Sequence, residues 1–365
     1  MDFALSEEQT LLAKTLERYL EEECPITRVR ELVAERAGHD GGTWKDLSEL
    51  GLAGILVPEE HGGSGLTLLD AAVAAESLAR GVAPVPFLGS AVMAPIALAA
   101  AGSPEQRARW LPLLATGDCR VGVAATELVS TRDGAGVEER SGCLHGTALM
   151  VIDGPGADHF LVPLAGGERL AWVDAQAPGL STTRLKTIDR TRGFAELELD
   201  GVKVEEWLGE GGAARDATRR MLTAGRAVLA ADLLGACARA IELAVAYAGQ
   251  REQFGRVIAS FQAVKHLCAE MVAELEPARS LVWYAAYAFD AVPADAEKMA
   301  CHAKAHLSEI GPFIVRTATE VHGGIGFTDE QNLHYWFKRV GVDRQLLGHP
   351  DSLREEAARL QGWVD

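Results

Sequence analysis

Behind Ser6-Glu7-Glu8 the apolar residues Leu11, Leu12, Leu16 and Leu20 recur at helical spacing. This predicts an amphipathic helix with Ser6 as its N-cap and two carboxylates against the positive end of its dipole. Helical spacing continues to about residue 118. Thr43 and Thr67 read as further helix starts, the second leading into Leu68 to Arg80, and Ser103 opens a helix that ends before Gly117. The stretch from Val57 to Leu66, with Pro58, Gly62, Gly63 and Gly65, reads as a loop. From about 119 to 205 the texture changes. Short apolar runs (Val121 to Ala125, Leu149 to Ile152, Phe160 to Pro163, Leu170 to Val173, Ala195 to Leu199) are separated by turns such as Asp153-Gly154-Pro155-Gly156. That pattern predicts an all-β insert, a small antiparallel sandwich or barrel. From 206 the helical pattern returns. Residues 214 to 248 are apolar nearly all round, which predicts a buried helix. A second helix is expected over 258 to 290, a third from after Pro293 to His322, a fourth over 328 to 346, and a last short one from Pro350-Asp351-Ser352. The order α, β, α without alternation gives an α+β class and argues against a doubly wound nucleotide-binding sheet. The expected division is 1–118 helical, 119–205 β and 206–365 helical.

Composition narrows the function. A net charge of −17 disfavours nucleic acid and anionic membranes as partners. The six cysteines form no CxxC pair, and no zinc spacing occurs among Cys and His, so no metal site is expected. They read as reduced thiols of a cytoplasmic protein. Met1 to Glu8 lack the basic and apolar regions of a signal peptide, and the one stretch poor in charge, Pro84 to Gly102, is broken by prolines and glycines, so no membrane span is expected.

Two stretches carry candidate chemistry. In His322-Gly323-Gly324-Ile325-Gly326-Phe327 the glycines would let backbone approach a ligand, and a helix starting near Thr328-Asp329-Glu330 would present free N–H groups. A tight inter-helix turn would account for the same residues. Arg251-Glu252-Gln253-Phe254-Gly255-Arg256, running on through Phe261-Gln262 to Lys265-His266, closely resembles the signature of flavin-dependent acyl-CoA dehydrogenases. The His-Gly-Gly turn sits where that family has its second signature. The Pro58-Glu59-Glu60-His61-Gly62-Gly63 loop, Ala125-Thr126-Glu127 at a strand end, and the α–β–α order match it too. The resemblance spans essentially the whole chain.

The resemblance implies an N-terminal helical domain, a central β-sandwich or barrel and a C-terminal four-helix bundle. It implies FAD as cofactor, with Arg251, Phe254 and Gln262 at its pyrophosphate and adenosine end and Gly323-Gly324 packed on the same region. In the family these contacts cross a dimer interface, so a homo- or hetero-oligomer is implied. Thr126 matches a residue near the flavin ring. The implied substrate is an acyl-CoA thioester, which loses an α-proton to a carboxylate and a β-hydride to the flavin. The implied electron acceptor is an electron-transfer flavoprotein or similar protein.

The usual bases are absent. The family position for Glu in the loop after the Gly-rich turn aligns with Leu347, and a minority position just before a helix Arg aligns with Gly225 in Gly225-Arg226. Arg226 matches a position lining the acyl site. Asp232 lies seven residues beyond Gly225 on nearly the same helical face, with no cation at i±3 or i±4. Buried there, it needs a distant partner or takes a raised pKa, and the second case would suit a general base. Glu127 and Glu330 are weaker candidates, each readable as a structural carboxylate. Two readings stay open: a desaturase with an unusual base, or the catalytically incomplete partner of a heteromeric enzyme such as those acting on steroid side-chain thioesters. A flavoprotein of altered chemistry in specialised metabolism is a third.

Overall fold

The computed structural model describes residues 4–35, 38–130 and 132–364. In chain order the first helices are α1 (Glu7–Glu23), α2 (Ile26–Glu35), α3 (Gly41–Glu49), α4 (Leu68–Arg80), α5 (Ala94–Ala101) and α6 (Pro104–Ala115). Strands follow: β1 (Val121–Val123), β2 (Gly136–Arg140), β3 (Cys143–Ile152), β4 (His159–Pro163), β5 (Leu170–Asp174), β6 (Leu180–Arg184), β7 (Phe194–Lys203) and β8 (Glu206–Leu208). A single-turn helix, α7 (Thr126–Val129), lies between β1 and β2. The remainder is α8 (Gly212–Gln250), a short hairpin of β9 (Glu252–Gln253) and β10 (Arg256–Val257), α9 (Gln262–Ala291), α10 (Pro293–His322), α11 (His334–Asp343) and α12 (Pro350–Leu360). Contacts group the chain into two units. One holds the residues up to Val29, Ala72–Ala83 and those from Arg226 onward; the other holds Arg30–Ala71 and Pro84–Gly225.

Helix starts follow local side-chain chemistry. Ser6 and Ser103 are both N-caps, each in a reciprocal capping box with the glutamine three residues on, Gln9 and Gln106. The start of α3 differs from expectation. Asp40 is the cap, accepting from the Gly42 N–H at 3.3 Å and from the Thr43 hydroxyl at 2.9 Å, so Thr43 lies inside the first turn. Gly41 and Gly42 are poor helix formers and hid that start. The expected helix near Thr328 begins instead at His334. Before it come two tight turns, Gly323–Phe327 and Asp329–Gln331, and then Asn332 in the left-handed region at φ 57°, which breaks any helix attempted from Thr328.

In the second unit the strands form one mixed sheet in the order β6-β7-β3-β1-β4-β5-β8, with β2 on β3. All pairs are antiparallel except β1 with β4, where Val121 faces His159 and Val123 faces Leu161. The parallel pair departs from the expected antiparallel layout. β3 and β4 run in opposite directions on either side of β1, so β1 must be parallel to one of them. A core of Leu144, Ala148, Val151, Phe160, Val162, Val173 and Leu197 covers one side of the sheet.

In the first unit α10 packs along α9 and α12, and α8 is buried almost without break from Arg226 to Ile241. Its residues from Glu242 to Gln250 lie largely at the surface, so the expected burial of 214–248 holds only for the middle of the helix. Glycine sets the closest approach of backbones. A Cβ on Gly235 in α8 would lie 2.1 Å from the Glu76 carbonyl oxygen in α4. The α4 carbonyls of Ala79 and Arg80 also accept from the Trp336 indole at 3.2 and 3.1 Å. Gly235→Ala gains about 1 kcal/mol of helix propensity but forces two backbones apart. The expected result is a net loss of about 2 kcal/mol or more in chemical denaturation.

Candidate functional site

The two motifs meet in the first unit. Tyr247, in the last turn of α8, stacks on His322, the last residue of α10, with ring centroids 4.6 Å apart. The Arg251 N–H donates to the Tyr247 carbonyl at 2.8 Å, and Gly323 follows His322 directly. The Arg251 segment and the Gly-rich turn are thereby held together. His322 is fixed by a 2.7 Å contact between Nδ1 and the Ala318 carbonyl, and burial pushes its pKa below the ordinary value, so the ring is neutral near pH 7. A Cβ on Gly323 or Gly324 would meet nothing within 4 Å, whereas one on Gly326 would crowd His322 and Thr319. Gly326 thus serves the turn itself, and the first two glycines leave open backbone.

The β9–β10 hairpin turns on two residues, Phe254 and Gly255, at φ 54° and 74°. Two-residue hairpins of this kind need positive φ at both positions, which favours Asn and Gly. An aromatic residue there is strained. Its ring is also 92% exposed. Arg256 lies over the Phe261 ring at 4.0 Å, and Gln262 opens α9 immediately after. Arg251 and Gln262 are exposed. An exposed guanidinium, uncovered glycine backbone and a presented aromatic ring are donors and surfaces that fit the pyrophosphate and adenosine end of FAD.

Thr126 and Glu127 belong to the other unit, where they complete a β-bulge. The β3–β7 register shifts between Ala148 and Val151, and Met150 takes φ 50°. The Glu127 carboxylate accepts from the Leu149 N–H at 2.8 Å, and the Thr126 hydroxyl donates to the Met150 carbonyl at 3.2 Å. The pair therefore satisfies backbone groups that the bulge takes out of the ladder. Burial raises the pKa of Glu127, with the Leu149 N–H opposing it. The Thr126 oxygen still has lone pairs to accept a further hydrogen bond.

At the aligned base positions there is no carboxylate. Leu347 is buried, with φ 55°. Its carbonyl accepts from Arg226 Nε at 3.0 Å. The remaining donors of Arg226 go to Glu356 at 2.6 and 2.9 Å and to Cys301 Sγ at 3.5 Å. Asp232 has a distant partner: both oxygens accept from Arg339 on α11, each at 2.8 Å, with both side chains buried. Glu330 lies exposed in the Asp329–Gln331 turn. Sequence reasoning passed over Arg339, Glu356 and Lys304. The available signal for Glu356 was its spacing of three from Leu353, on the buried face of α12. Asp232→Asn should cost roughly 3 to 5 kcal/mol by leaving Arg339 buried without its counter-charge. Replacing both by Leu and Met should restore most of the loss, as read in a double-mutant denaturation cycle.

Comparison with known proteins places the whole chain. Residues 6–118 match the acyl-CoA dehydrogenase N-terminal domain model and residues 214–360 the C-terminal domain model. The acyl-CoA dehydrogenase IpdE2 of Mycolicibacterium smegmatis is 31% identical over 99% of this chain and 100% of its own length. A variant of the Tcur3481–Tcur3483 steroid ACAD superposes with a TM-score of 0.88 at 32% identity over 98% of both chains. The ChsE4–ChsE5 complex of Mycobacterium tuberculosis gives 0.89 at 29% identity over 100% of both. Among the described residues no helix is long and apolar enough to cross a membrane. The chain belongs to the acyl-CoA dehydrogenase family of oxidoreductases acting on CH–CH groups.

Proposed function

We propose that this chain is an FAD-binding subunit of an acyl-CoA dehydrogenase that desaturates an acyl thioester, and that the carboxylate removing the α-proton comes from a second kind of subunit. One observation carries the reading. Both aligned base positions, Leu347 and Gly225, lack a carboxylate, and Asp232 is committed to Arg339 through two hydrogen bonds. A base must reach the α-carbon with a free lone pair, and an oxygen already accepting from a buried guanidinium is poorly suited to that. The geometry supports a positioning role for Asp232.

FAD, when bound, would supply the hydride acceptor. This chain's part is to supply holding groups. In the helical unit these are Arg251 and Gln262 as donors, Gly323 and Gly324 as open backbone and Phe254 as an apolar surface for the pyrophosphate and adenosine end, contacts that cross a dimer interface in the family. In the other unit Thr126 offers a hydroxyl for the ring. Resemblance to a steroid ACAD and to a complex of two named chains supports a bulky thioester and a heteromeric assembly. An electron-transfer flavoprotein or a similar protein would then take the electrons.

The competing reading is a self-sufficient desaturase with Asp232 as base. The visible spectrum decides between them. Purified alone, the protein should show no flavin bleaching with any of a panel of acyl-CoA thioesters. Bleaching should appear when it is co-purified with a family member carrying Glu in the loop after the Gly-rich turn. Bleaching by the chain alone, abolished in a folded Asp232→Asn variant, would overturn the two-subunit reading.

The strained turn gives an independent check on the cofactor end. Phe254→Asn relieves a left-handed aromatic and should stabilise the fold by about 1 kcal/mol. The same variant should retain less FAD through gel filtration. A gain in stability with unchanged flavin content would remove Phe254 from the cofactor site.

A further inference from the structure

We propose that Glu356 is a positioning residue for the acyl-thioester site: it orients Arg226, which in turn fixes the Leu347 carbonyl and the conformation of segment 344–349. The proposal rests on the reading of that segment as part of the acyl site.

The chain of contacts is continuous and directional. Leu353 and Ala357 of α12 pack on Cys301 and Ala305 of α10, so Glu356 projects from a helix whose placement is set by core packing. Its two oxygens take two donors of Arg226, which is only 3% exposed. The third donor edge, Nε, is thereby aimed at Leu347 O. A guanidinium is planar and rigid, so fixing one edge with a bidentate carboxylate fixes the other. Lys304 gives the same segment a second anchor. Its ammonium, fully buried, donates to Ser308 Oγ at 3.0 Å and to the Arg344 carbonyl at 3.4 Å.

The anchored backbone is one that would not hold itself. Leu347 has φ 55° and Gly348 φ 123°, and a Cβ on Gly348 would lie 2.8 Å from Leu353 Cδ2. A branched residue in the left-handed region persists only where its surroundings over-determine it. Arg226 supplies that constraint at the strained residue, and Glu356 keeps Arg226 in place. Without the carboxylate, Arg226 would stay buried without its two hydrogen-bond acceptors, with Glu297 as the carboxylate still acting on its charge, or turn toward water and release Leu347 O.

The test compares Glu356→Ala, Glu356→Asp and Glu356→Gln in the FAD-loaded protein, together with its partner subunit where turnover requires one. Hydrogen–deuterium exchange is followed by segment, and KM and kcat are measured for a thioester that bleaches the wild-type flavin. Loss of two charge-assisted hydrogen bonds should speed exchange in 344–349 about tenfold or more in Glu356→Ala, with α9 unchanged. KM should rise by a similar factor with kcat and flavin content little altered, and Glu356→Gln, which keeps one acceptor, should fall between. Exchange that rises uniformly across the helical unit, or not at all, overturns the proposal, as does an unchanged KM. Wild-type protein that turns over no thioester, alone or with a partner, overturns instead the acyl-site reading on which the proposal stands.

Discussion

A buried guanidinium must be matched by an anion, and in the helical unit two such requirements fix how the helices register. α8 is rich in alanine and apolar on nearly every side, so shape alone would let neighbours slide along it. It carries Arg226 and Asp232. Arg226 finds Glu356 on α12, and Asp232 finds Arg339 on α11, each through two hydrogen bonds. The two pairs run in opposite senses: α8 gives the cation in one and the anion in the other. Neither α11 nor α12 can shift along α8 without leaving one charge in the interior unmatched, at a cost of several kcal/mol. Apolar packing supplies the bulk of the stability, and these directional pairs select one register from many.

That arrangement limits the chemistry open to this chain. Hydrogen bonds to a guanidinium favour the charged form of a carboxylate and fix its orientation, which suits it to a structural role. Asp232 and Glu356 are each held by a buried guanidinium through two hydrogen bonds. The Arg251 segment and the Gly-rich turn are built differently. Arg251, Phe254 and Gln262 are exposed, and the glycine backbone beside them is uncovered. The helical unit thus pairs two of its carboxylates with buried guanidinium groups and leaves Arg251, Phe254, Gln262, Gly323 and Gly324 of the two sequence motifs open to solvent.

Local signals in the sequence were legible where the chemistry is local. The N-caps Ser6 and Ser103 are legible in the sequence because a cap and the backbone it satisfies lie three residues apart. The Gly-rich turn reads as open backbone because glycine carries no Cβ, and the Arg251 segment reads through its resemblance to a family signature. Asp40 was missed because the glycines after it carry no helix signal. Asp232 was the sharper case. The absence of a cation at helical spacing was a true observation, yet its partner lies 107 residues away on another helix. No periodicity along one chain can report a contact of that kind. The parallel β1–β4 pair was hidden for the same reason, since strand direction within a sheet depends on which strands insert between others.

Backbone strain links the candidate sites in a way that side-chain chemistry alone does not. Phe254, Leu347 and Met150 are bulky residues with φ between 50° and 55°. Each sits at a place singled out on other grounds: the hairpin of the Arg251 motif, the segment bonded to Arg226, and the bulge that engages Thr126. Such conformations cost of order 1 to 3 kcal/mol apiece, and glycine or asparagine would relieve them. At Met150 and Leu347 the compensation is visible as a side-chain group bonded to the strained residue's own carbonyl, the Thr126 hydroxyl in one case and the Arg226 guanidinium in the other. At Phe254 the ring is exposed and meets Phe261 edge-on, with centroids 6.2 Å apart. That difference separates two kinds of site. The first two are braced by a side-chain hydrogen bond to the strained residue's carbonyl, while the hairpin presents its aromatic ring to solvent.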